Sequence, residues 1–374
     1  MNDKLTKKAI VISSYAYIRG HNNYGSIFQY YALQQYLKCW GVKSYLLRYM
    51  FPTKDMLNGL AHKAISELHQ KWSIANTFRH IKTQWEFRSF LHNRCNVTPL
   101  KYTSIEELKR NPPQADIYIT GSDQVFGGWL EPNFLTFAPK GKPRVAYAAS
   151  FGKRELTSEH QAHIINWLQA FDAVSVRERS GVEICLKMGV KTRHLLDPTL
   201  LLDAEDYLPD NTPRAETSKY IFCYFIHEKK AANLRIDDIS KFSSEKEVKL
   251  KVTGIEGPEQ VVPRRYLCQY SPEKWLNHYR YADYVFTNTF HGTVFCIIFH
   301  KKFCVLLQKG TTIQQNERIY SLLEMFGLQD RILEQEKAIS SIIDDYIDWT
   351  YVEEVKKNWR EKTDLFWKEI LNRA

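Results

Sequence analysis

The chain has 374 residues, too many for one ordinary hydrophobic core, so two domains are expected. Its net charge of +10 points to anionic partners, but no nucleic-acid module or long basic tract is present, so nucleic acid is ranked low. No apolar run approaches the ~20 residues that span a bilayer, and seven scattered cysteines without a Cys-x-x-Cys pair read as reduced thiols rather than disulfides or a zinc site.

In chain order, Met1–Lys8 is charged and leads only into Ala9-Ile10-Val11-Ile12, too short an apolar stretch for a signal peptide and readable as the start of a strand over 8–14. The turn Arg19-Gly20-His21-Asn22-Asn23-Tyr24-Gly25 follows. Ser26 to Cys39 has helical spacing, with Ile27, Tyr30, Tyr31, Leu33 and Leu37 on its apolar stripe. Gly41 ends that helix, and Lys43–Tyr49 is a second strand. The unit is β-α-β with a glycine turn, but it carries neither a Gly-x-Gly-x-x-Gly fingerprint nor a Walker lysine. Residues 56–95 are helical in character, basic and rich in aromatics (Trp72, Phe78, Trp85, Phe87, Phe90). A helical pair covering a sheet is the preferred reading of this insertion, with a membrane- or acceptor-facing element as the alternative.

Strands are then expected at 116–124, running into Gly121-Ser122-Asp123-Gln124, and at 144–152, ending in Ser150-Phe151-Gly152. Two more are expected at 172–178, ending in Arg177-Glu178, and at 194–201. Polar residues from Asp203 to Ser218 read as a linker. A second alternation uses strands at 220–225, 249–253, 284–286 and 303–307, and a Trp-containing amphipathic helix occupies about 350–372. The boundaries are 1–205, 206–345 and 346–374. Aromatic residues make up 14% of the chain, a share that suits stacking on sugar rings but is assigned mostly to the core.

Strands alternating with helices imply parallel sheets whose carboxyl edges gather on one side. Between two such domains those edges converge on a cleft. The most informative turn there is Thr287-Asn288-Thr289-Phe290-His291-Gly292, between an apolar strand and the apolar run Thr293–Phe299. The amides of Phe290, His291 and Gly292 would open a helix and suit an anion. A histidine at that place can exchange a proton near neutral pH. No acidic or histidine cluster has metal-ligand spacing, so no metal is expected.

The ordered set of turns resembles the polysaccharide pyruvyl transferase family over nearly the whole chain. The residues that carry the resemblance are Asn23–Leu33, Gly121–Phe126, Ala146–Gly152, Ser175–Glu178, Leu196–Leu201 and Phe290–Phe295. The resemblance implies two doubly wound, Rossmann-like domains similar to the GT-B glycosyltransferases. It implies transfer of pyruvate from phosphoenolpyruvate, a co-substrate rather than a bound cofactor, to a sugar as a ketal. The sugar would belong to a surface polysaccharide or its lipid-linked precursor, which places the protein in the cytoplasm, including the inner face of the membrane. Peripheral membrane contact and a homo-oligomer are compatible with that setting.

On this reading His291 is the acid/base and Asp123 a second base. Arg177, Phe290, Gly292, Asn316 and Arg318 would hold the donor's phosphate, and Asn23, Tyr24, Gly25, Gln124 and Ser150 the acceptor. One position departs from the family pattern. Thr289 stands two residues before the histidine, where many members carry arginine, and Arg318 or Lys309 would supply the missing cation. The alternatives are a GT-B-like glycosyltransferase with a nucleotide-sugar donor and a non-catalytic carbohydrate-binding relative.

Overall fold

The computed structural model describes residues 6–13, 23–50, 74–255 and 257–373, and only the backbone over 74–80. The expected turn at Arg19–Asn22, and residues 56–73 of the insertion, lie outside the described residues.

The first half forms a seven-stranded sheet, all parallel, in the order β3-β2-β1-β4-β5-β6-β7. The strands are β1 Lys7–Ile12, β2 Val42–Tyr49, β3 Val97–Tyr102, β4 Ile117–Thr120, β5 Arg144–Ala149, β6 Ala173–Val176 and β7 Thr192–His194. The second half forms a four-stranded parallel sheet of β8 Tyr220–Ile226, β9 Lys249–Ile255, β10 Tyr284–Thr287 and β11 Lys302–Val305, in the order β11-β10-β8-β9. The helices used below are α1 Tyr24–Cys39, α2 Ile74–Arg94, α3 Ser158–Gln169, α4 Arg179–Lys187, α5 Pro272–Tyr281, α6 Phe290–Ile298, α7 Asn316–Phe326 and α8 Trp349–Leu371.

Each sheet reverses its winding once, between β1 and β4 in the first and between β8 and β10 in the second. Loops diverge at such a reversal, leaving a crevice at the carboxyl ends of the strands. The turns after β4 and β10 both open there.

Two sequence expectations are corrected. The strand expected at 194–201 ends at His194, and Pro198–Leu201 is a 3₁₀ turn. Its cause is local: the Asp197 carboxylate accepts from the Thr199 amide at 3.0 Å, and Pro198 takes the first position, where its missing N–H costs nothing. The strand β3 was not anticipated because Pro99 interrupts it. Proline is tolerated there because β3 lies at the edge of the sheet.

The largest apolar core runs through both halves. Tyr24 stacks on Trp275 of α5 (4.7 Å, 8°), and Phe28 and Trp275 both pack edge-on against Phe295 of α6. All nine residues of α6 are buried, as are most of α1, so neither helix shows the polar face of a surface helix. Helix α8 closes the structure by reaching back to the first sheet. Trp367 is fully buried against Tyr147, and Arg360 forms a two-pronged ion pair with Asp203. The Lys7 ammonium donates to the Leu371 carbonyl. In α2, Phe87, Phe90 and Leu91 are buried while Trp85 is exposed, so the helix covers the core with one face. No described helix is long and apolar enough to cross a membrane.

Candidate functional site

The turn after β10 is built from its own hydroxyls. Thr289 is the N-cap of α6, and its Oγ1 accepts from the Gly292 amide at 2.7 Å. Thr287 Oγ1 donates to the Tyr224 carbonyl and lies 3.1 Å from Thr289 Oγ1. A Cβ on Gly292 would stand 2.5 Å from Thr289 Oγ1, so only glycine fits beneath the two threonines. The Gly292 amide is therefore committed to the cap and does not serve an anion, contrary to the sequence expectation. The same geometry explains Thr289: this position caps the helix, a role an arginine side chain does not fill.

The cap aims His291 back into the first half. Its Nε2 lies 3.6 Å from Asp197 Oδ2, and its ring rests on Gly25 at the start of α1. A Cβ on Gly25 would stand 2.8 Å from the His291 Cβ and closer still to the ring. The separation of His291 from Asp197 is an ion-pair contact without a hydrogen bond; Asp197 is fully buried and accepts from four donors. Oδ2 accepts from Ser122 Oγ and Arg177 Nη1, each at 2.7 Å. Oδ1 accepts from the amide and hydroxyl of Thr199, at 3.0 and 2.5 Å. Burial alone would raise the Asp197 pKa, but His291, Arg177 and Thr199 together hold it well below the ordinary aspartate value.

Arg177 occupies the centre. Its Nη1 also reaches Ser122 Oγ at 3.3 Å, and its Nη2 donates to Asp123 Oδ1 at 3.1 Å. Its Nε stands 3.9 Å from Glu178 Oε2 without a hydrogen bond, and the guanidinium lies 4.3 Å over the Phe290 ring. Both terminal nitrogens thus serve carboxylates, which revises the expectation that Arg177 clamps an anion. Asp123 reaches it from a left-handed backbone (φ 81°), a conformation aspartate tolerates better than most residues. Glu178 is fully buried and accepts from the Phe151 amide at 2.8 Å. Burial raises its pKa, against Arg177 and Arg318, which draw it down.

Arg318 differs from Arg177. It enters from α7, is 5% exposed, and forms no ion pair within 4.0 Å among the described residues. Its partners are neutral: the Gln315 carbonyl and side-chain oxygen at 3.3 and 3.0 Å, and the Gln124 amide oxygen, which accepts from both terminal nitrogens at 2.9 Å. Burial, and then Arg177, lower its pKa to about 10, against Asp123, Glu178 and Asp197, which draw it up. The Phe290 ring, 6.0 Å away, lies near both guanidiniums.

The other expected site residues are found in supporting positions. Asn316 clamps the backbone of Gln308 through both amide atoms, at 2.9 and 2.8 Å, and Gln308 in turn donates to the Asn288 carbonyl. Asn23 caps α1. Tyr24 is buried and donates to the Tyr270 carbonyl. Ser150 is wholly buried and accepts from the Gly152 amide. Tyr24 and Ser150 are buried and engaged in these contacts, Asn23 is half-buried at its cap, Gln124 reaches the cluster, and Lys309 lies exposed. Asp197, Ser122 and Glu178 belong to the site although no site role was expected of them. The signal for Asp197 was a lone acid closing the apolar stretch Leu195-Leu196. No three described His, Cys, Asp or Glu side chains group as metal ligands.

The polysaccharide pyruvyl transferase family model matches residues 23–309. Among curated proteins, none matches the sequence. Two solved structures share the fold at 11% identity. MnaA of S. aureus, in a co-structure with UDP, superposes with a TM-score of 0.51 over 96% of this chain and 98% of that one. The UDP-GlcNAc 2-epimerase of Methanocaldococcus jannaschii, in complex with UDP-GlcNAc and UDP, does so at 0.52 over 95% and 100%. At that identity the likeness establishes the GT-B-type architecture alone.

Proposed function

This chain belongs to the polysaccharide pyruvyl transferase family, and from that premise we propose that it transfers pyruvate from phosphoenolpyruvate to two hydroxyls of one sugar. The observation that carries the reading is Arg318: a buried cation with neutral partners, beside a histidine–aspartate pair. A buried charge with no carboxylate within 4.0 Å among the described residues, and only the longer-range pull of Asp123, Glu178 and Asp197, is costly, and an anionic ligand lowers the cost. Glu178, whose pKa burial raises, stands near both arginines, 3.9 Å from Arg177 without a hydrogen bond.

In the proposed reaction Arg318 holds the donor's phosphate. A proton is added to the methylene carbon of the donor, making it a methyl group. The first sugar hydroxyl forms a bond to the neighbouring carbon. The second hydroxyl then displaces phosphate by breaking the carbon–oxygen bond. Of the two hydroxyl protons, one balances the new methyl group and the other leaves with phosphate. His291 moves these protons, and Asp197 holds its ring. Arg177 keeps Asp123 and Asp197 in place, and Asp123 accepts a hydroxyl proton.

Thermal-shift titration with phosphoenolpyruvate, inorganic phosphate and UDP-sugars tests the donor. Stabilisation by phosphoenolpyruvate is expected; stabilisation by a UDP-sugar without it would move the protein to the glycosyltransferases. His291→Ala should fold and still bind phosphoenolpyruvate, with phosphate release in the presence of acceptor down on the order of 10³-fold. Near wild-type release would remove His291 from the chemistry.

A further inference from the structure

Five residues beyond Gln124, the same loop ends in an exposed aromatic surface that the site above does not use. Trp129 is 48% exposed. Its indole lies nearly parallel to the His163 imidazole of α3, at 4.9 Å and 25°, and edge-on to His160 at 5.7 Å. Trp167 meets His163 edge-on at 4.9 Å. His160 is buried, and its Nε2 has no hydrogen-bond partner.

The loop between the site and this surface has little slack. The Phe126 amide donates to the Ser150 carbonyl at 3.0 Å, and the Gly127 amide to the Gln124 carbonyl at 3.3 Å. A Cβ on Gly127 would stand 2.7 Å from the Phe151 carbonyl oxygen, and one on Gly152 2.8 Å from Gln124 Cδ. Five residues reach at most ~17 Å when extended, and this turn is shorter. Trp129 is therefore tied rigidly to Gln124, within a few sugar rings of Arg318.

We propose that Trp129, backed by His163, is a stacking platform for a pyranose ring of the acceptor chain, beyond the sugar that reacts. The inference rests on the sugar acceptor proposed above and deepens it: the substrate is an extended saccharide rather than a free monosaccharide. The physical grounds are specific to this ligand class. A pyranose offers a face of C–H groups carrying partial positive charge, and the indole face carries the complementary negative charge. His163 stacks on Trp129 and fixes its orientation, so little side-chain freedom remains to be lost on binding. The imidazole edge of His163, itself exposed, meets the hydroxyls at the rim of such a ring.

Affinity electrophoresis in gels containing soluble glucan, mannan or galactan tests the platform, with the full chain as wild type, Trp129→Ala and Trp129→Phe. At least one polymer should retard the wild type. Trp129→Ala should lose about tenfold in that affinity, and Trp129→Phe should keep most of it. Because Trp129 lies on the surface, circular dichroism of the variant should match the wild type. No retardation by any polymer, or equal retardation of Trp129→Ala, overturns the proposal. Donor stabilisation of the wild type is read separately. Trp129-dependent retardation without stabilisation by phosphoenolpyruvate leaves the platform standing and removes the donor reading; the reverse removes the platform alone. A surface that instead pairs two copies of the chain would show as a Trp129-dependent change in mass by light scattering without retardation, which also overturns it.

Discussion

Replacing Asp197 by asparagine separates its two duties, orienting His291 and compensating Arg177. Breaking a buried ion pair leaves the other charge stranded, so Asp197→Asn should cost about 3 kcal/mol in urea unfolding. The pH dependence has a definite sign. A carboxylate held below its unfolded value stabilises fully above that value, 3.8, and loses the contribution as the pH falls through the folded one. Wild type should therefore weaken more steeply than Asp197→Asn below pH 3.8; parallel curves would deny the depressed state. Arg318 is the opposite case. Its folded value, about 10, lies below its ordinary one, so its burial penalty is present below pH 10 and relieved above it. Arg318→Leu should leave the ligand-free protein as stable as wild type or more so, and weaken phosphoenolpyruvate binding about 10- to 100-fold. A destabilised variant with unchanged donor affinity would return Arg318 to a structural role. The same contrast shows what was legible at this scale. His291 stood out because a strand, a polar turn and an apolar run flank it in sequence. Asp197 did not, because its importance comes from Ser122, Arg177 and His291, which lie 75, 20 and 94 positions away in the chain. Arg318 could be named from sequence, but its lack of a carboxylate partner depends on how α7 packs.

The helix starts carry the next level of order. The start of α6 departs from the expectation of three free amides because Thr289 satisfies that of Gly292. Likewise, Gly25, expected on the acceptor side, makes room for His291 by its missing side chain. Gly25→Ala places a methyl group against the ring. It should lower turnover at least tenfold and cost about 1–3 kcal/mol by overpacking. The diagnostic pairing is a loss of turnover with retained stabilisation by phosphoenolpyruvate in the thermal-shift assay, because Arg318 lies on a different helix. Elements with strong local patterns, such as β1, β5, β8 and β10, agree with expectation within a few residues. The misplaced ones, β3 and the stretch after β7, both contain proline: Pro99 is absorbed by an edge strand, whereas Pro198 starts a 3₁₀ turn where a strand was expected to continue.

For the whole molecule, the two sheets and the closing helix were readable from the alternation of strands and helices. The shared core was not, because Tyr24 and Phe28 are far in sequence from Trp275 and Phe295 and meet them only when both sheets are assembled. A core common to both halves couples their unfolding. Scanning calorimetry should show one transition with matching calorimetric and van't Hoff enthalpies; two resolved transitions would show halves that fold independently. Trp367→Ala, in the helix that returns to the first sheet, should cost about 3–5 kcal/mol and lower that single transition as a unit.

On the function proposed above, placing Arg318 on α7 and His291 on α6 has an evolutionary consequence. Where arginine and histidine share one helical turn, a substitution that retunes the grip on the anion also disturbs the proton carrier. Here the two properties are inherited separately. Drift along α7 can change which anion is preferred while the Thr289 cap, Gly25 and Asp197 keep the histidine unchanged, so this arrangement leaves donor choice open to selection at low risk to the chemistry.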